Sequence, residues 1–330
     1  MDIKYVIKRL MDMNYGSFFS KLDSLQKLTG KSKAFLLGDM TVCALKYGAG
    51  YMDYDLFEMY NLTPSERDTY LTRGRNNALV KKYNDPKYVS CFDDKALFMR
   101  IFSEYLHREW ISTTDPQERI LSFISGRDAF IAKPAEGSCG RGVERINTKD
   151  YPGALHIYRK LLAYGKPYLL EDVIEQHPLL NAIYPEAVNT VRAVTINNDG
   201  IVRVVCTYFR IGNTNGCVDN FNNGGMVVPV DENTGTVRCN AVDKNKKSYD
   251  VHPMSGAKIA GFVFPDWEKA MQIVCCAAKE VPQVGYIGWD VAFTPNGPCL
   301  VEGNNFPGHD IYQLPAQTGD KRGIYERFLV

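Results

Sequence analysis

The sequence feature that most constrains the fold is an Asn-Gly pair, Asn296-Gly297, which separates two short apolar runs. The runs cover residues 289–293 and 299–301, and the residues between them are rich in turn formers. Glycine accepts the positive φ that a tight turn between antiparallel strands requires. The pattern therefore predicts a β-hairpin.

Polar residues on this predicted hairpin point to a metal site. The hairpin would bring Asp290 and Glu302 side by side, with Asn304 just beyond them. Two carboxylates and an amide oxygen are hard donors that suit Mg²⁺ when nucleotide phosphates complete its shell. The alternative is a surface hairpin with ordinary solvated acids, and on this stretch alone that is the simpler interpretation. Motifs elsewhere in the chain are needed to choose between the metal site and the solvated hairpin.

The overall composition is that of a soluble globular protein. The 330 residues are 45% apolar and 23% charged, which allows two or three domains with a buried core. A net charge of +1 offers no basic surface for nucleic acid, and no window is apolar enough for membrane insertion. Nine scattered cysteines without CxxC spacing indicate reduced thiols. We therefore expect a cytoplasmic protein with no nucleic-acid partner and no membrane insertion.

Residues 1–90 are predicted to be mainly helical. Residues 63–66, Thr-Pro-Ser-Glu, carry the cap residue, proline and acid that start a helix. A further helix over 95–110 has apolar residues at helical spacing, and Asp93 is expected to cap it. Lys95 lies in the first turn of that helix, where a cation opposes the helix dipole. It is therefore either a solvated side chain or one that a nearby phosphate holds.

A glycine-rich stretch between two predicted strands is a second candidate for ligand binding. The strands cover residues 130–133 and 143–146, and PAEGSCGRG lies between them. Its backbone N–H groups can approach phosphate oxygens closely, and Lys133 at its root would add a cation. The stretch is not a Walker A motif, because its lysine precedes the glycines. A structural turn is the alternative, and the lysine favours phosphate binding.

Two arginines lie on a predicted antiparallel pair of strands. Residues 188–196 and 201–210 alternate in polarity around a turn at 197–200. Arg192 lies on the first strand and Arg210 ends the second. Neither has an acid nearby in sequence, so each either reaches solvent or meets an anion. For each arginine taken singly, the solvated interpretation is the safer one.

Taken in order, these motifs resemble those of the ATP-grasp superfamily, which includes the D-alanine–D-alanine ligases and the ribosomal-protein glutamate ligases. The matching elements are Lys95, Lys133 with the loop at 137–142, the strand and linker at 171–175, and the set Asp290, Glu302 and Asn304. The runs EDVIEQHP, VNTVRAVTI, DNFNNGG and EGNNFPGHDIYQ resemble the sugar-transfer-associated branch more closely. The superfamily pattern covers about residues 93–315, and the branch resemblance covers nearly the whole chain.

The resemblance implies an α+β ATP-grasp fold, in which two α/β lobes with antiparallel sheets grip ATP behind a mainly helical N-terminal region. The implied domains are a helical region at 1–92, lobe A with the phosphate loop at 93–170, and lobe B with the metal site at 171–330. The chain departs from the D-alanine ligases at Gly288, where those enzymes have an arginine. Arg192 and Arg210 are expected to supply the missing charge.

The resemblance also implies roles for individual residues. Arg192, Arg210 and Asn220 would bind the γ-phosphate and the acyl oxygens, and Asp290, Glu302 and Asn304 would hold one or two Mg²⁺ ions, with Mn²⁺ as an alternative. ATP would be bound by Lys95, Lys133, Glu136, Gly137, Ser138, Cys139, Gly140, Gly142, Glu171, Asp172, Val173, Ile174, Glu175 and His177. Within this set, either Glu175 or His177 would contact the ribose.

The activity that the resemblance implies is that of an ATP- and Mg²⁺-dependent ligase. It would join a carboxylate to an amine or a thiol through an acylphosphate, releasing ADP and phosphate. The branch suggests a sugar or amino-acid substrate in polysaccharide or small-metabolite biosynthesis. The alternative is an ATP-grasp kinase that phosphorylates a small-molecule hydroxyl or amide. A nucleotide-binding protein without activity is less favoured, because both lysines and the three metal-ligand candidates are present.

Overall fold

The computed structural model describes residues 14–137, 142–213, 221 and 224–329 of the chain. They form two compact units, one made of residues 14–82 with 308–329 and the other of residues 83–307. The domain boundaries inferred from the sequence, at 92/93 and 170/171, stay predictions. In the described part of the chain, no helix has both the length and the apolar character needed to cross a membrane.

The first unit is helical, as predicted for the N-terminal region. Thr63 and Glu66 form the expected reciprocal cap: each side chain accepts a hydrogen bond from the other residue's backbone N–H. Buried side chains such as Leu36, Tyr54 and Phe57 form one core between the helices. The helices of this part of the chain are α1 (Tyr15–Thr29), α2 (Lys33–Tyr47), α3 (Tyr51–Leu56), α4 (Pro64–Asp68) and α5 (Arg73–Tyr83), with 3-10 turns at Met59–Asn61, Pro315–Gln317 and Tyr325–Phe328.

The second unit combines short helices with two antiparallel sheets, which confirms the α+β organisation. Its helices are α6 (Ser90–Asp93), α7 (Lys95–Ile101), α8 (Ser103–Leu106), α9 (Gln117–Ser125), α10 (Ala154–Ala163), α11 (Pro178–Asn181) and α12 (Trp267–Ala277), with a 3-10 turn at Thr148–Asp150. Its strands are β1 (Trp110–Ser112), β2 (Ala129–Pro134), β3 (Glu144–Asn147), β4 (Tyr168–Asp172), β5 (Thr190–Asn198), β6 (Ile201–Ile211), β7 (Met226–Val230), β8 (Ala241–Asp243), β9 (Ser248–Tyr249), β10 (Tyr286–Thr294) and β11 (Gly297–Asn304).

The smaller sheet contains the strand that precedes the glycine-rich stretch. Its strand order is β1-β4-β2-β3, and every pair is antiparallel. Helices α9 and α10 cover one face, where Ile120, Ile157 and Leu161 pack against Phe130 and Leu170. Lys133 lies near the end of β2, directly opposite Leu169 of β4. β2 therefore places Lys133 at the end of the strand that leads into the glycine-rich stretch.

The larger sheet has seven strands in the order β11-β10-β5-β6-β7-β8-β9. Helix α12 packs its Ala270 and Val274 against one face. Trp289 of β10 is fully buried, contacts the ring of Phe102, and donates its indole N–H to Thr195 over 2.9 Å. This packing holds the middle of β10 rigidly, which matters because Asp290 is the next residue.

The helix predicted over 95–110 is shorter than expected. It is interrupted after α7, and His107 has a left-handed backbone with φ of 49°, which ends α8 and turns the chain into β1. Trp110 therefore begins a strand. The cap of α7 is Asp94, whose carboxylate accepts the N–H groups of Ala96 and Leu97, and not Asp93.

Candidate functional site

The predicted hairpin is formed by β10 and β11, and a bulge determines which residues face each other. Thr294 pairs with Gly297, whose φ of 112° suits the tight turn. The register continues to Val291 opposite Leu300 and then shifts, so that Asp290 stands opposite Glu302. Val301 is the extra residue of the bulge. Without this bulge Asp290 would face Val301, and Glu302 would point to the other side of the sheet.

Asp290 is buried and held by two arginines. Arg192 of β5 binds the carboxylate through Nε and, over 2.8 Å, through Nη2, and Nη1 of Arg210 donates to the same group over 2.5 Å. Burial by itself would raise the pKa of Asp290, but the two guanidinium charges hold it well below its usual range. The solvated interpretation of Arg192 and Arg210 is therefore wrong, since both are almost fully buried against an acid.

Glu302 and Asn304 are more accessible than Asp290. The Glu302 side chain is 47% exposed, and burial of its other part together with the charge of Asp290 raises its pKa. Asn304 donates to the Glu302 carboxylate over 3.2 Å. Asp290 lies close enough to disfavour the charge of Glu302, and two such carboxylates with an amide beside them fit a divalent cation. In the described residues no cluster of three or more His, Cys, Asp or Glu side chains could hold a metal. A metal here would therefore need further oxygens, such as those of a phosphate.

Gly288 leaves the space that Arg192 occupies. A Cβ at this position would lie 2.9 Å from Cδ of Arg192 and 2.9 Å from Cβ of Pro307. Both contacts are too short for real atoms. The neighbouring strand therefore brings an arginine side chain across the position where a side chain of residue 288 would otherwise stand.

Lys133 is held by an acid that the sequence analysis assigned to nucleotide binding. Its Nζ lies 2.6 Å from Oε1 of Glu171, and Nε of Arg108 donates to Oε2 of the same carboxylate over 2.8 Å. Burial acts to raise the pKa of Glu171, but the charges of Lys133 and Arg108 lower it to about 2. Arg108 was not predicted from the sequence, because the partners that define this role, Glu171 and the β11 backbone, lie 63 or more residues away in the chain.

Lys95 is half-buried, and its Nζ donates to the backbone carbonyl of Gly137 over 2.6 Å. Burial and the charge of Lys133 lower the pKa of Lys95. The lysine thus connects the start of α7 to the beginning of the glycine-rich stretch. Gly142, at the other end of that stretch, has φ of 74° and lies against Pro134. Ser138, Cys139 and Gly140, and also Asn220, lie outside the described residues.

A cavity of about 830 Å³ collects many of the predicted site residues. Its polar lining includes Lys95, Lys133, Glu136, Gly137, Glu302 and Asn304. Apolar walls come from Phe92, Phe98, Met99, Val301 and Phe306. Cations from two different elements thus line the same cavity as a carboxylate and an amide of β11.

The predicted adenine linker does not line this cavity. Asp172 accepts a hydrogen bond from the backbone N–H of Glu109 and pairs with Arg127, both beside the smaller sheet. Glu175 is exposed, and Val173 and Ile174 are half-buried. His177 caps α11, because its Nδ1 accepts the N–H of Leu179 over 3.2 Å. The two lysines, Glu302 and Asn304 therefore line one cavity, and these five residues do not line it.

Comparison with known proteins gives one family. A family model described as sugar-transfer associated ATP-grasp matches residues 74–324. The comparison with curated proteins finds no match.

Several solved structures are distantly similar to this chain. The ADP complex of an N5-carboxyaminoimidazole ribonucleotide synthetase has a TM-score of 0.43 at 14% identity, over 67% of this chain and 47% of that one. For D-alanyl-alanine synthetase A from Vibrio cholerae the TM-score is 0.42 at 12% identity, over 72% and 62%. For the D-alanine-D-alanine ligase from Coxiella burnetii it is 0.44 at 12% identity, over 78% and 65%. This chain thus spans less than two thirds of the length of each.

Proposed function

The chain belongs to the sugar-transfer-associated ATP-grasp family and has the ATP-grasp fold, and on that premise we propose that it is an ATP-dependent carboxylate–amine ligase. The observation that carries this proposal is the cavity in which Lys95 and Lys133 face Glu302 and Asn304. Paired cations suit the phosphates of a nucleotide, and the opposing oxygens suit a divalent metal that binds the same phosphates.

The nucleotide would be held mainly by charge. Lys95 and Lys133 bind the α- and β-phosphates, and the glycine-rich stretch at 137–142 covers the β- and γ-phosphates. Glu136, immediately before that stretch, lines the cavity. The linker at 172–175 binds adenine through its backbone, with Glu171, Glu175 or His177 nearby. Because the linker does not line the cavity, this role requires it to move toward the nucleotide when ATP binds.

The metal candidates are Asp290, Glu302 and Asn304. Glu302 and Asn304 line the cavity, whereas Asp290 reaches a metal only by sharing its oxygens with Arg192 and Arg210. When bound at these residues, Mg²⁺, or Mn²⁺ in its place, would supply positive charge that neutralises the phosphates. Asp290 would also serve the reaction by fixing the two arginines, which together with Asn220 would bind the γ-phosphate and the acyl oxygens.

The proposed reaction has two steps. A carboxylate oxygen of the first substrate attacks the γ-phosphorus, and the bond to the bridging oxygen breaks to release ADP. The amine of the second substrate then attacks the acylphosphate carbonyl, gives up a proton and expels phosphate to leave an amide; a thiol would give a thioester. Positioning and electrostatic stabilisation carry the catalysis. A sugar or amino-acid substrate in the cytoplasm, in polysaccharide or small-metabolite biosynthesis, completes the proposal.

The test is incubation with ATP, Mg²⁺ and panels of carboxylates, amines, thiols and sugars, followed by mass spectrometry. ADP with a condensed product supports the ligase. ADP with a phosphorylated product supports a kinase, which could use the same residues. AMP with pyrophosphate contradicts both.

A matched pair of lysine variants tests the nucleotide site. Lys95→Met should weaken ATP binding by about tenfold or more, since a charge-assisted contact is lost. Lys81→Met, at an exposed lysine of α5, should leave ATP binding unchanged. Equal ATP affinity in the two variants, measured by calorimetry, would contradict the assignment of Lys95.

A further inference from the structure

Arg108 is a buried arginine that makes contacts at both sheets of the second unit. It lies between α8 and β1, and its side chain is 4% exposed. Toward the smaller sheet its Nε binds Glu171. Toward the larger sheet its Nη1 donates to the carbonyl of Leu300 over 2.6 Å and its Nη2 to the carbonyl of Val301 over 3.2 Å. All three guanidinium nitrogens are therefore used in bridging the sheets.

The contacts on the larger sheet fall on the β-bulge. Val301 is the extra residue of β11, and a bulge leaves backbone groups without their usual ladder partner. Arg108 donates hydrogen bonds to the carbonyls of Leu300 and Val301, which immediately precede Glu302. The bulge that turns Glu302 toward Asp290 is thus stabilised from outside the hairpin.

The contact on the smaller sheet is one step from Lys133. Glu171 shares its two carboxylate oxygens between Arg108 and Lys133. A chain of direct contacts therefore runs from Lys133 through Glu171 and Arg108 to the backbone beside Glu302. Its two ends are the proposed phosphate-binding and metal-binding groups.

We propose that Arg108 is a positioning residue that fixes the spacing between Lys133 and Glu302 by holding Glu171 and the β11 bulge together. The inference rests on the proposed function for the meaning of that spacing, but the contacts themselves do not depend on it. Arg108 touches neither substrate nor metal. Its effect is to make nucleotide binding at Lys133 and metal binding at Glu302 cooperative.

Arginine suits this position and lysine does not. The planar guanidinium has five N–H donors in a fixed fork, which allows it to hold a carboxylate and several carbonyls at once. A lysine ammonium could keep the charge next to Glu171 but could not also reach both carbonyls of the bulge in the same geometry. Arg108→Lys therefore separates the charge of Arg108 from its bridging.

The first test needs no nucleotide. Hydrogen–deuterium exchange is compared for the wild-type protein, Arg108→Lys, Arg108→Met and the control Arg127→Met. Arg127 is another arginine paired with acids, its side chain is 17% exposed, and its acid partners, Glu109 and Asp172, both lie beside the smaller sheet. We expect faster exchange at 297–304 in both Arg108 variants, and faster exchange near β4 but not at 297–304 in Arg127→Met.

The second test measures cooperativity by calorimetry, as the ratio of ATP affinity with and without Mg²⁺. We expect Arg108→Lys and Arg108→Met to reduce this ratio by about tenfold, the effect of losing one charge-assisted contact, and to change Mg²⁺-free ATP binding much less. Arg127→Met should keep the wild-type ratio. A purely structural loss would lower the melting temperature and leave the ratio unchanged.

The two tests distinguish the two ways of failing. A wild-type protein that binds no ATP would overturn the proposed function, while the exchange data would still decide whether Arg108 holds the bulge. Wild-type exchange at 297–304 in the Arg108 variants, or a wild-type ratio in Arg108→Lys, would overturn the positioning role. Should Arg108→Met fail to fold, the lysine variant, which keeps the buried charge, carries both measurements.

Discussion

Arg192 of β5 and Asp290 of β10 stand directly opposite each other, and the guanidinium of Arg192 binds both oxygens of the Asp290 carboxylate. Arg210 adds a second guanidinium to the same acid. Asp290 therefore keeps two buried positive charges in place, in addition to the metal-binding role proposed for it. This double task predicts that Asp290 and Glu302, although neighbours, respond differently to substitution.

Asp290→Asn should destabilise the protein. Removing the charge leaves two buried arginines without their acid, and breaking a buried ion pair in this way typically costs about 3–5 kcal/mol. Urea unfolding of the variant and the wild-type protein measures the difference. A variant with wild-type stability would show that the two arginines do not depend on the charge of Asp290.

Glu302→Gln should leave the stability nearly unchanged and abolish Mg²⁺-dependent turnover. The side chain is 47% exposed, so we expect a change in unfolding free energy within about 0.5 kcal/mol, as is usual for accessible positions. The measurements are urea unfolding and a Mg²⁺ titration of ADP formation. Full turnover in this variant would remove Glu302 from the metal site.

Gly288→Ala should displace Arg192, because the added Cβ would lie 2.9 Å from Cδ of that arginine. Overpacking of this kind costs about 1–3 kcal/mol. The matched control is Gly38→Ala in α2, where no atom lies within 4 Å of the added Cβ. In a helix interior that change should stabilise by about 0.5–1 kcal/mol. Thermal unfolding of both variants checks the opposite signs.

Acid should remove the stabilisation that Glu171 provides. Its pKa falls from an ordinary 4.5 to about 2 in the folded protein, so the stabilisation is complete above pH 4.5 and is lost as the pH falls through 2. The shift corresponds to roughly 3 kcal/mol. Urea unfolding of the wild-type protein and of Glu171→Gln between pH 2 and 6 should give stability curves that converge toward the acid end. A constant separation between the curves would contradict this origin of the stabilisation.

Much of the site could be predicted because its signals are local. The tight turn at Asn296-Gly297 places two strands side by side whatever surrounds them, and Lys133 precedes its glycines by only a few residues. Lys95 was identified by its unfavourable position at the start of a helix. These features need only backbone preferences and short spacings, and the structure brings both lysines to one cavity.

Other predictions failed because they depended on residues far away in the chain. Taken singly, Arg192 and Arg210 were more safely interpreted as solvated than as bound to an anion, yet the acid that binds both lies 98 and 80 residues further on. The helix predicted to reach Trp110 stops earlier, because the left-handed backbone of His107 redirects the chain into β1. The helical spacing of apolar residues in the sequence does not show that the residues from Trp110 onward pair with β4.

The hairpin at 286–304 shows how the two kinds of information divide. The sequence by itself determined that a hairpin forms and that it carries Asp290, Glu302 and Asn304, because turn chemistry is local. The tertiary structure decided that Glu302 faces Asp290, because one bulged residue sets the face of every residue beyond it. It also decided the partners of that bulge and of Asp290, since ion pairs between strands depend on how distant segments pack.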